Sequence, residues 1–154
     1  VDHSVPGPGA VEVEPVIDQV FVKEKDETLT GVAFERKLFV LRNHTSHLIS
    51  RDVKGSNNEF YITSFSSRTI VYKGQLRTEQ LREYFYDLQD ARVKTALALV
   101  HSRFSTNTFP NWKLAQPFRY IAHNGEINTI RGNVNKMKSK EALFKSTHFT
   151  DEEL

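Results

Sequence analysis

Apolar side chains recur at helical spacing in three parts of the chain. The inner faces that they define are Phe34, Leu38, Leu41 and Leu48; Leu81, Tyr84, Phe85 and Leu88; and Ile130, Val134 and Met137. Side chains three or four residues apart lie on the same side of an α-helix, so each set predicts one amphipathic helix. The first helix is expected from Thr30 to about His47. Its N-cap is Thr28 or Thr30, and Thr78 and Asn128 are the N-caps of the other two.

Other segments are rich in β-branched and aromatic residues, which favour strands. They are residues 15–22, 60–74, 95–105 and 119–127. Because the predicted strands and helices interleave while the strands end in polar, turn-like clusters, both an α+β and an α/β architecture fit the pattern. Residues 1–10 include Pro-Gly-Pro-Gly, which disfavours a helix or a central strand. We therefore expect residues 1–14 to form a flexible lead-in to a domain in residues 15–154.

The composition is that of one ordinary globular domain. The 154 residues are 38% hydrophobic and 26% charged, with a formal net charge of +2. This near-balanced charge gives no support for a nucleic-acid partner, and no apolar run approaches the roughly 20 residues of a membrane span. The N-terminus lacks the basic and apolar regions of a signal peptide, so we expect a cytoplasmic protein.

The chain contains no cysteine. Disulfides, thiolate metal sites and a cysteine nucleophile are therefore excluded within these 154 residues. Histidine could also bind a metal, but no histidine pair has i, i+4 spacing on a predicted helix. We therefore expect no metal site.

The stretch HSRFSTNT, residues 101–108, is very polar for a segment that directly follows an apolar run. Arg103 presents a planar guanidinium that can bind a carboxylate through two parallel hydrogen bonds. Thr106 and the neighbouring hydroxyl and amide groups suit a small carboxylate or zwitterionic ligand. The competing interpretation is a structural ion pair at Arg103, and for this motif taken alone it is the preferred one.

A second polar motif, HNGEI, occupies residues 123–127. The side-chain amide of Asn124 and the backbone N–H of Gly125 are neighbouring donors, an arrangement that stabilises a developing oxyanion. An Asn-Gly hairpin turn is the alternative. The flanking sequence predicts a strand and then a helix rather than two paired strands, which favours the oxyanion hypothesis.

The run ALVHSRFSTNTFPNWKLAQPFRYIAHNGEINTIRGNVN, residues 98–135, strongly resembles the glutaminase domain of glutamate synthase large subunits. Those domains are class II glutamine amidotransferases with the fold of N-terminal-nucleophile hydrolases. Other segments, such as EPVIDQVFV and FYITSFSSRTIVYKG, resemble the same family. The resemblance therefore covers nearly the whole chain.

This resemblance implies a fold and a set of residue roles. The implied class is α+β, with the chain forming part of a four-layer α-β-β-α sandwich of two antiparallel sheets. Residues 15–154 would be the central portion of the domain, truncated at both ends. Arg103 would bind the α-carboxylate of glutamine and Thr106 would line the same pocket. Asn124 and Gly125 would form the oxyanion hole.

The resemblance also implies what lies outside the chain. The family's nucleophile is an N-terminal cysteine, expected upstream of Val1, so the chain alone is expected to be inactive. The parent enzyme would hydrolyse glutamine to glutamate and ammonia, and transfer the ammonia to 2-oxoglutarate. FMN and an iron–sulfur cluster are expected in the rest of that enzyme, with no cofactor in this chain.

The expected partners are glutamine, the remaining domains of the large subunit, and an electron-donating small subunit or ferredoxin. The isolated chain is also expected to self-associate. Two alternatives remain for the function. One is another class II amidotransferase, and the other is a non-catalytic scaffold that keeps the glutamine pocket without a nucleophile.

Overall fold

The computed structural model describes residues 1–25, 28–53, 59–104, 109–123 and 129–153. The chain divides into two compact units, Val1–His123 and Asn124–Leu154. The helices are α1 (Pro8–Val11), α2 (Gly31–Asp52), α3 (Thr78–Tyr84), a 3₁₀ helix (Tyr86–Gln89) and, in the second unit, α4 (Ile130–Glu141). None of the helices in the described ranges is both long enough and apolar enough to cross a membrane.

Helix α2 confirms the first predicted helix. It begins at Gly31, with Thr30 at the N-cap position, and it continues to Asp52, beyond the predicted end. The Thr30 side chain forms no capping hydrogen bond. Leu38 is buried, whereas Leu41 on the same predicted face is exposed. The buried face of α2 is therefore narrower than the apolar face that the periodicity predicts.

Helix α3 and the 3₁₀ helix carry the second predicted face into the core of the first unit. Tyr84 and Phe85 are buried, and their rings meet edge to face with centroids 4.8 Å apart. Leu81 and Leu88 pack against this pair. Thr78 is the first residue of the helix rather than its cap. The predicted inner face is confirmed.

Trp112 completes this core from a distant part of the chain. Its side chain is 3% exposed, and its ring centroid lies 5.6 Å from that of Tyr84. The indole Nε1–H donates to the carbonyl oxygen of Ala10 at 2.9 Å, which satisfies the one polar atom of a buried ring. Gly74 approaches so closely that a Cβ there would lie 2.7 Å from Trp112 Cε3. The loop that contains Trp112 is therefore anchored in the core.

The N-terminal segment contacts the same core. Three of its apolar side chains pack against the buried aromatic rings: Val1, Val5 and Ala10. The Tyr84 hydroxyl donates to the Glu14 carboxylate. Helix α1 is a single turn with Pro8 in its first turn, where proline is tolerated, so the prediction that residues 1–10 hold no helix is wrong at this turn. The flexibility of residues 1–14 stays a prediction.

The predicted fold class is wrong for the residues that the structure describes. An α+β sandwich requires two antiparallel sheets, but the described ranges contain no sheet and only one isolated bridge, between Phe118 and Ile121. Strand-favouring residues form a strand only where a second strand completes the hydrogen-bond ladder. Here those side chains meet solvent instead, as at Val16 (89% exposed), Phe21 (85%) and Val100 (76%).

Side chains replace the missing ladder between residues 60 and 73. The backbone N–H of Val71 donates to Ser64 Oγ at 3.2 Å, and that of Ser67 donates to Glu35 Oε1 at 2.7 Å. Burial alone would raise the pKa of the Glu35 carboxyl. Hydrogen bonds from Ser67 and Ser66 outweigh this effect, so the pKa is lower than its usual value. These two backbone donors are thus satisfied by side chains rather than by a neighbouring strand.

Helix α4 confirms the third predicted helix. It runs from Ile130 to Glu141, with Thr129 at the N-cap position, and the predicted cap Asn128 lies outside the described residues. Its predicted inner face is exposed at all three positions: Ile130, Val134 and Met137. The periodicity therefore identifies the helix, but the described residues do not bury its apolar face.

Candidate functional site

Arg103 is the one predicted site residue in the described part of the chain. Thr106, Asn124 and Gly125 lie outside the described residues, so their roles stay predictions. Arg103 is exposed, in a segment without regular secondary structure. Within the described ranges its guanidinium forms no ion pair. The competing interpretation, a structural ion pair at Arg103, therefore finds no acidic partner among the described residues.

The imidazole of His101 links the two polar motifs. Its Nε2 lies 2.7 Å from the carbonyl oxygen of His123, which is 22 residues away in sequence. Its Nδ1 accepts a hydrogen bond from the backbone N–H of Arg103 at 3.1 Å. One half-buried ring thus contacts the backbone of Arg103 and the first residue of the HNGEI motif.

These two bonds indicate which tautomer of the His101 ring fits its surroundings. A carbonyl oxygen only accepts, so Nε2 carries the proton, and a backbone N–H only donates, so Nδ1 carries the lone pair. The two contacts therefore assign the Nε2–H tautomer to the ring. A proton on Nδ1 would remove the acceptor for Arg103 and leave two donors facing each other.

The side-chain amide of Gln116 holds His123 from a second direction. Gln116 Oε1 accepts from the His123 N–H at 3.1 Å, and Gln116 Nε2 donates to the His123 carbonyl oxygen at 3.3 Å. Both backbone polar groups of His123 are therefore satisfied. Its carbonyl oxygen receives two donors, one from Gln116 and one from His101.

A tight turn between these residues explains why Gln116 meets His123. Phe118 and Ile121 exchange two backbone hydrogen bonds of 2.9 Å each around a two-residue turn. The first turn residue, Arg119, has φ of 51°, a left-handed value that is costly outside glycine. Two residues further out in the same antiparallel register come positions 116 and 123. This turn lies before the Asn-Gly pair, which is outside the described residues, so the Asn-Gly turn stays an open alternative.

Lys73 fastens this loop to the body of the first unit. Its ammonium donates to the carbonyl oxygen of Lys113 at 2.8 Å and lies 4.5 Å from the centre of the Phe118 ring. Burial and the nearby positive charges of Arg42 and Lys113 lower the pKa of Lys73 to about 8. Together with the buried Trp112, these contacts fix both sides of Gln116.

The arrangement can present a cation at a fixed position. The Arg103 guanidinium is exposed, while the Arg103 backbone N–H is bonded to the His101 ring. The other nitrogen of that ring is bonded to the His123 carbonyl, and Gln116 also holds His123. Such a guanidinium can receive a carboxylate with little loss of backbone freedom. The described residues contain no group of three or more metal-ligating side chains.

Sequence reasoning missed the roles of His101 and Gln116. Sequence reasoning treats His101 only as a candidate metal ligand. Its position two residues before Arg103 was the available signal, because a short acceptor side chain often binds the N–H two residues on. Nothing in the local sequence marks Gln116, since its bonds depend on the hairpin register.

Comparison with known proteins gives a consistent family. The model described as "Glutamine amidotransferases class-II" matches residues 1–154. The chain is 50% identical to the NADH-type glutamate synthase of Schizosaccharomyces pombe, over 98% of this chain and 7% of that protein. It is 46% identical to the NADPH-type glutamate synthase large chain of Bacillus subtilis, over 90% of this chain and 9% of that protein.

A third relative, the ferredoxin-dependent glutamate synthase of an Antithamnion species, is 44% identical over 98% of this chain and 10% of that protein. The chain therefore spans about a tenth or less of the length of these curated relatives. No solved structure matches the chain.

Proposed function

Because the chain belongs to the class II glutamine amidotransferases, we propose that it supplies the glutamine-binding part of a glutaminase site. Arg103 binds the α-carboxylate of glutamine through its planar guanidinium, and Thr106 lines the same pocket. One observation carries this proposal. The exposed Arg103 guanidinium has no carboxylate partner among the described residues, while its backbone is bonded through His101 to His123, which directly precedes Asn124.

Asn124 and Gly125 stabilise the charge that develops during hydrolysis. A thiolate from outside this chain attacks the side-chain amide carbon of glutamine, and the carbonyl oxygen becomes negative. The Asn124 amide and the Gly125 backbone N–H donate to that oxygen. The leaving nitrogen takes up the proton that the thiol gave up, the C–N bond breaks and ammonia leaves, and water then hydrolyses the thioester to glutamate and the free thiol.

The 154-residue chain itself does not hydrolyse glutamine, because it has no cysteine to form the thioester. Ammonia release from glutamine by the purified chain tests this statement. We expect no turnover above the uncatalysed background. Turnover of about 1 per second or more, which is ordinary for an enzyme, would show that another residue of the chain is the nucleophile.

The wider reaction is that of a glutamate synthase. The ammonia is transferred to 2-oxoglutarate in another part of a larger cytoplasmic protein, and a small subunit or ferredoxin supplies electrons. The chain has no cysteine to ligate an iron–sulfur cluster, so its residues do not fit that group. We assign the cluster and FMN to other domains, and glutamine and those domains are the partners of this chain.

Glutamine hydrolysis by the full-length product of the encoding gene tests the proposal. We expect glutamate and ammonia to form at an enzymatic rate, on the order of 1–10³ per second. Saturable glutamine binding without any hydrolysis would instead indicate a non-catalytic scaffold. If the protein neither binds nor hydrolyses glutamine, the proposal is overturned.

A further inference from the structure

We propose that His101 is a positioning residue that sets the place of the glutamine-binding Arg103 relative to the peptide that precedes the oxyanion donors. This inference rests on the proposed function. It concerns a residue that contacts neither the substrate nor the reacting atoms. Its effect is exerted through the backbone of two other residues.

The ring uses its complete hydrogen-bonding capacity for this link. A neutral imidazole has one donor and one acceptor, and here the donor faces the His123 carbonyl at 2.7 Å while the acceptor faces the Arg103 N–H at 3.1 Å. The ring is rigid, so the separation of its two nitrogens is fixed by covalent geometry. The two backbone groups are therefore held at a set distance despite the 22 residues between their chain positions.

Gln116 fixes the orientation of the His123 peptide at one end of the link. Its amide bonds both the N–H and the carbonyl of His123, at 3.1 and 3.3 Å, so that peptide cannot rotate freely about the His101 bond. Lys73 and the buried Trp112 hold the loop on either side of Gln116. Gln116 and His123 are thus fixed to the core of the first unit. Because His101 bonds both His123 and Arg103, it holds the Arg103 backbone relative to that core.

The two ends of the link influence different kinetic quantities. A displaced Arg103 backbone moves the guanidinium away from the α-carboxylate and weakens ground-state binding, which raises KM. Asn124 and Gly125 follow His123 directly in the sequence, and their proposed bonds to the oxyanion form in the transition state. A displaced His123 peptide is therefore expected to affect kcat. A misplacement of about 1 Å costs up to roughly 10²-fold in rate.

Two substitutions cut one end of the link each. In His101→Asn the side-chain oxygen can still accept from the N–H two residues on, but no donor reaches His123. In His101→Gln the longer amide can still donate near the former Nε2 position, while the acceptor for Arg103 is lost. His101→Phe keeps a flat ring and removes both bonds.

The experiment measures glutamine kcat and KM for these variants in the full-length product of the encoding gene. We expect His101→Asn to lower kcat by about 10-fold or more with KM within about threefold. We expect His101→Gln to raise KM by about 10-fold with kcat within about threefold, and His101→Phe to show both changes. His47→Gln, at an exposed histidine on α2, is the matched control and should change neither constant.

The outcomes separate this inference from the proposed function. Suppose that Arg103→Lys raises KM, while His101→Asn and His101→Gln either match wild type or each change both constants in parallel. That result overturns the inference alone. Wild-type protein that hydrolyses no glutamine overturns the proposed function. If the variants fail to fold, ring ¹⁵N chemical shifts of the unsubstituted 154-residue chain decide. The Nε2–H tautomer of His101 is expected, and the Nδ1–H tautomer overturns the link.

Discussion

Gly74 lies against the ring of Trp112, so closely that no side chain fits between them. A Cβ on residue 74 would be 2.7 Å from Cε3 of that ring, well inside van der Waals contact. The ring cannot retreat easily, because its other side packs on Tyr84 and its Nε1 is bonded to Ala10. Gly74 is thus required by close packing at the core of the first unit.

The Gly74→Ala substitution is therefore expected to destabilise the chain by about 1–3 kcal/mol through overpacking. Urea unfolding of the 154-residue chain measures this change. Gly9→Ala is the matched control, because a Cβ there would meet nothing within 4 Å. Equal unfolding midpoints for the two variants would mean that the Trp112 ring is not seated as described.

Lys73 predicts a pH dependence of stability. Its pKa is lowered from 10.5 to about 8, first by burial and then by the charges of Arg42 and Lys113. Between these values the unfolded chain binds a proton that the folded chain does not, so the free energy of unfolding rises with pH. This contribution is fully present above pH 10.5 and is lost as the pH falls through about 8.

A comparison with Lys73→Met isolates that contribution. We expect the unfolding free energy of the wild-type chain to increase relative to that of the variant between pH 8 and pH 10. The upper limit avoids Tyr72, whose pKa is raised to about 12 by burial and Asp87, and whose own effect on stability begins near pH 10. Parallel profiles for the two proteins would show that Lys73 titrates normally.

Asn124 is expected to act in the transition state. In the full-length product, Asn124→Ala or Asn124→Asp should lower kcat by about 10²–10³-fold with little change in KM, because the proposed role of the amide is to donate to a charge absent from the ground state. Asn43→Ala, at an exposed position of α2, is the control. A raised KM with unchanged kcat would make Asn124 a ground-state binding or turn residue.

The sequence predicts the helices well because their signal is local. Leu81, Tyr84, Phe85 and Leu88 meet on one face through i, i+3 and i, i+4 spacing, which is a property of the helix itself. A strand depends on a partner elsewhere in the chain, and Val16 or Val100 carries no information about whether one is present. The α+β prediction failed for that reason in the described residues, where the backbone N–H groups of Ser67 and Val71, for example, donate to glutamate and serine side chains instead.

The site residues also differ in whether their signal in the sequence is local. Arg103 could be identified from its motif, because a guanidinium among hydroxyl groups has a recognisable chemistry. The link through His101 to His123 could not, since it joins residues 22 positions apart, and the Gln116 bonds that hold His123 depend on a turn at Arg119. The burial of Trp112 likewise depends on Ala10, about a hundred residues earlier in the chain.

The central claim is that Arg103 binds the α-carboxylate of glutamine, and an altered substrate tests it most directly. In glutamine α-amide that carboxylate is replaced by a neutral carboxamide, while the scissile side chain is unchanged. The measurement is kcat/KM for both substrates, with wild type and Arg103→Lys in the full-length product. Arg92→Lys is the control, because Arg92 is exposed and paired with Asp90.

We expect wild type and Arg92→Lys to prefer glutamine over its α-amide by about 10²-fold or more, because the amide leaves the guanidinium without its anionic partner. In Arg103→Lys the preference should fall to about tenfold or less, mainly through a raised KM for glutamine. A preference that survives unchanged in Arg103→Lys would contradict the account, since the carboxylate would then be bound by another residue.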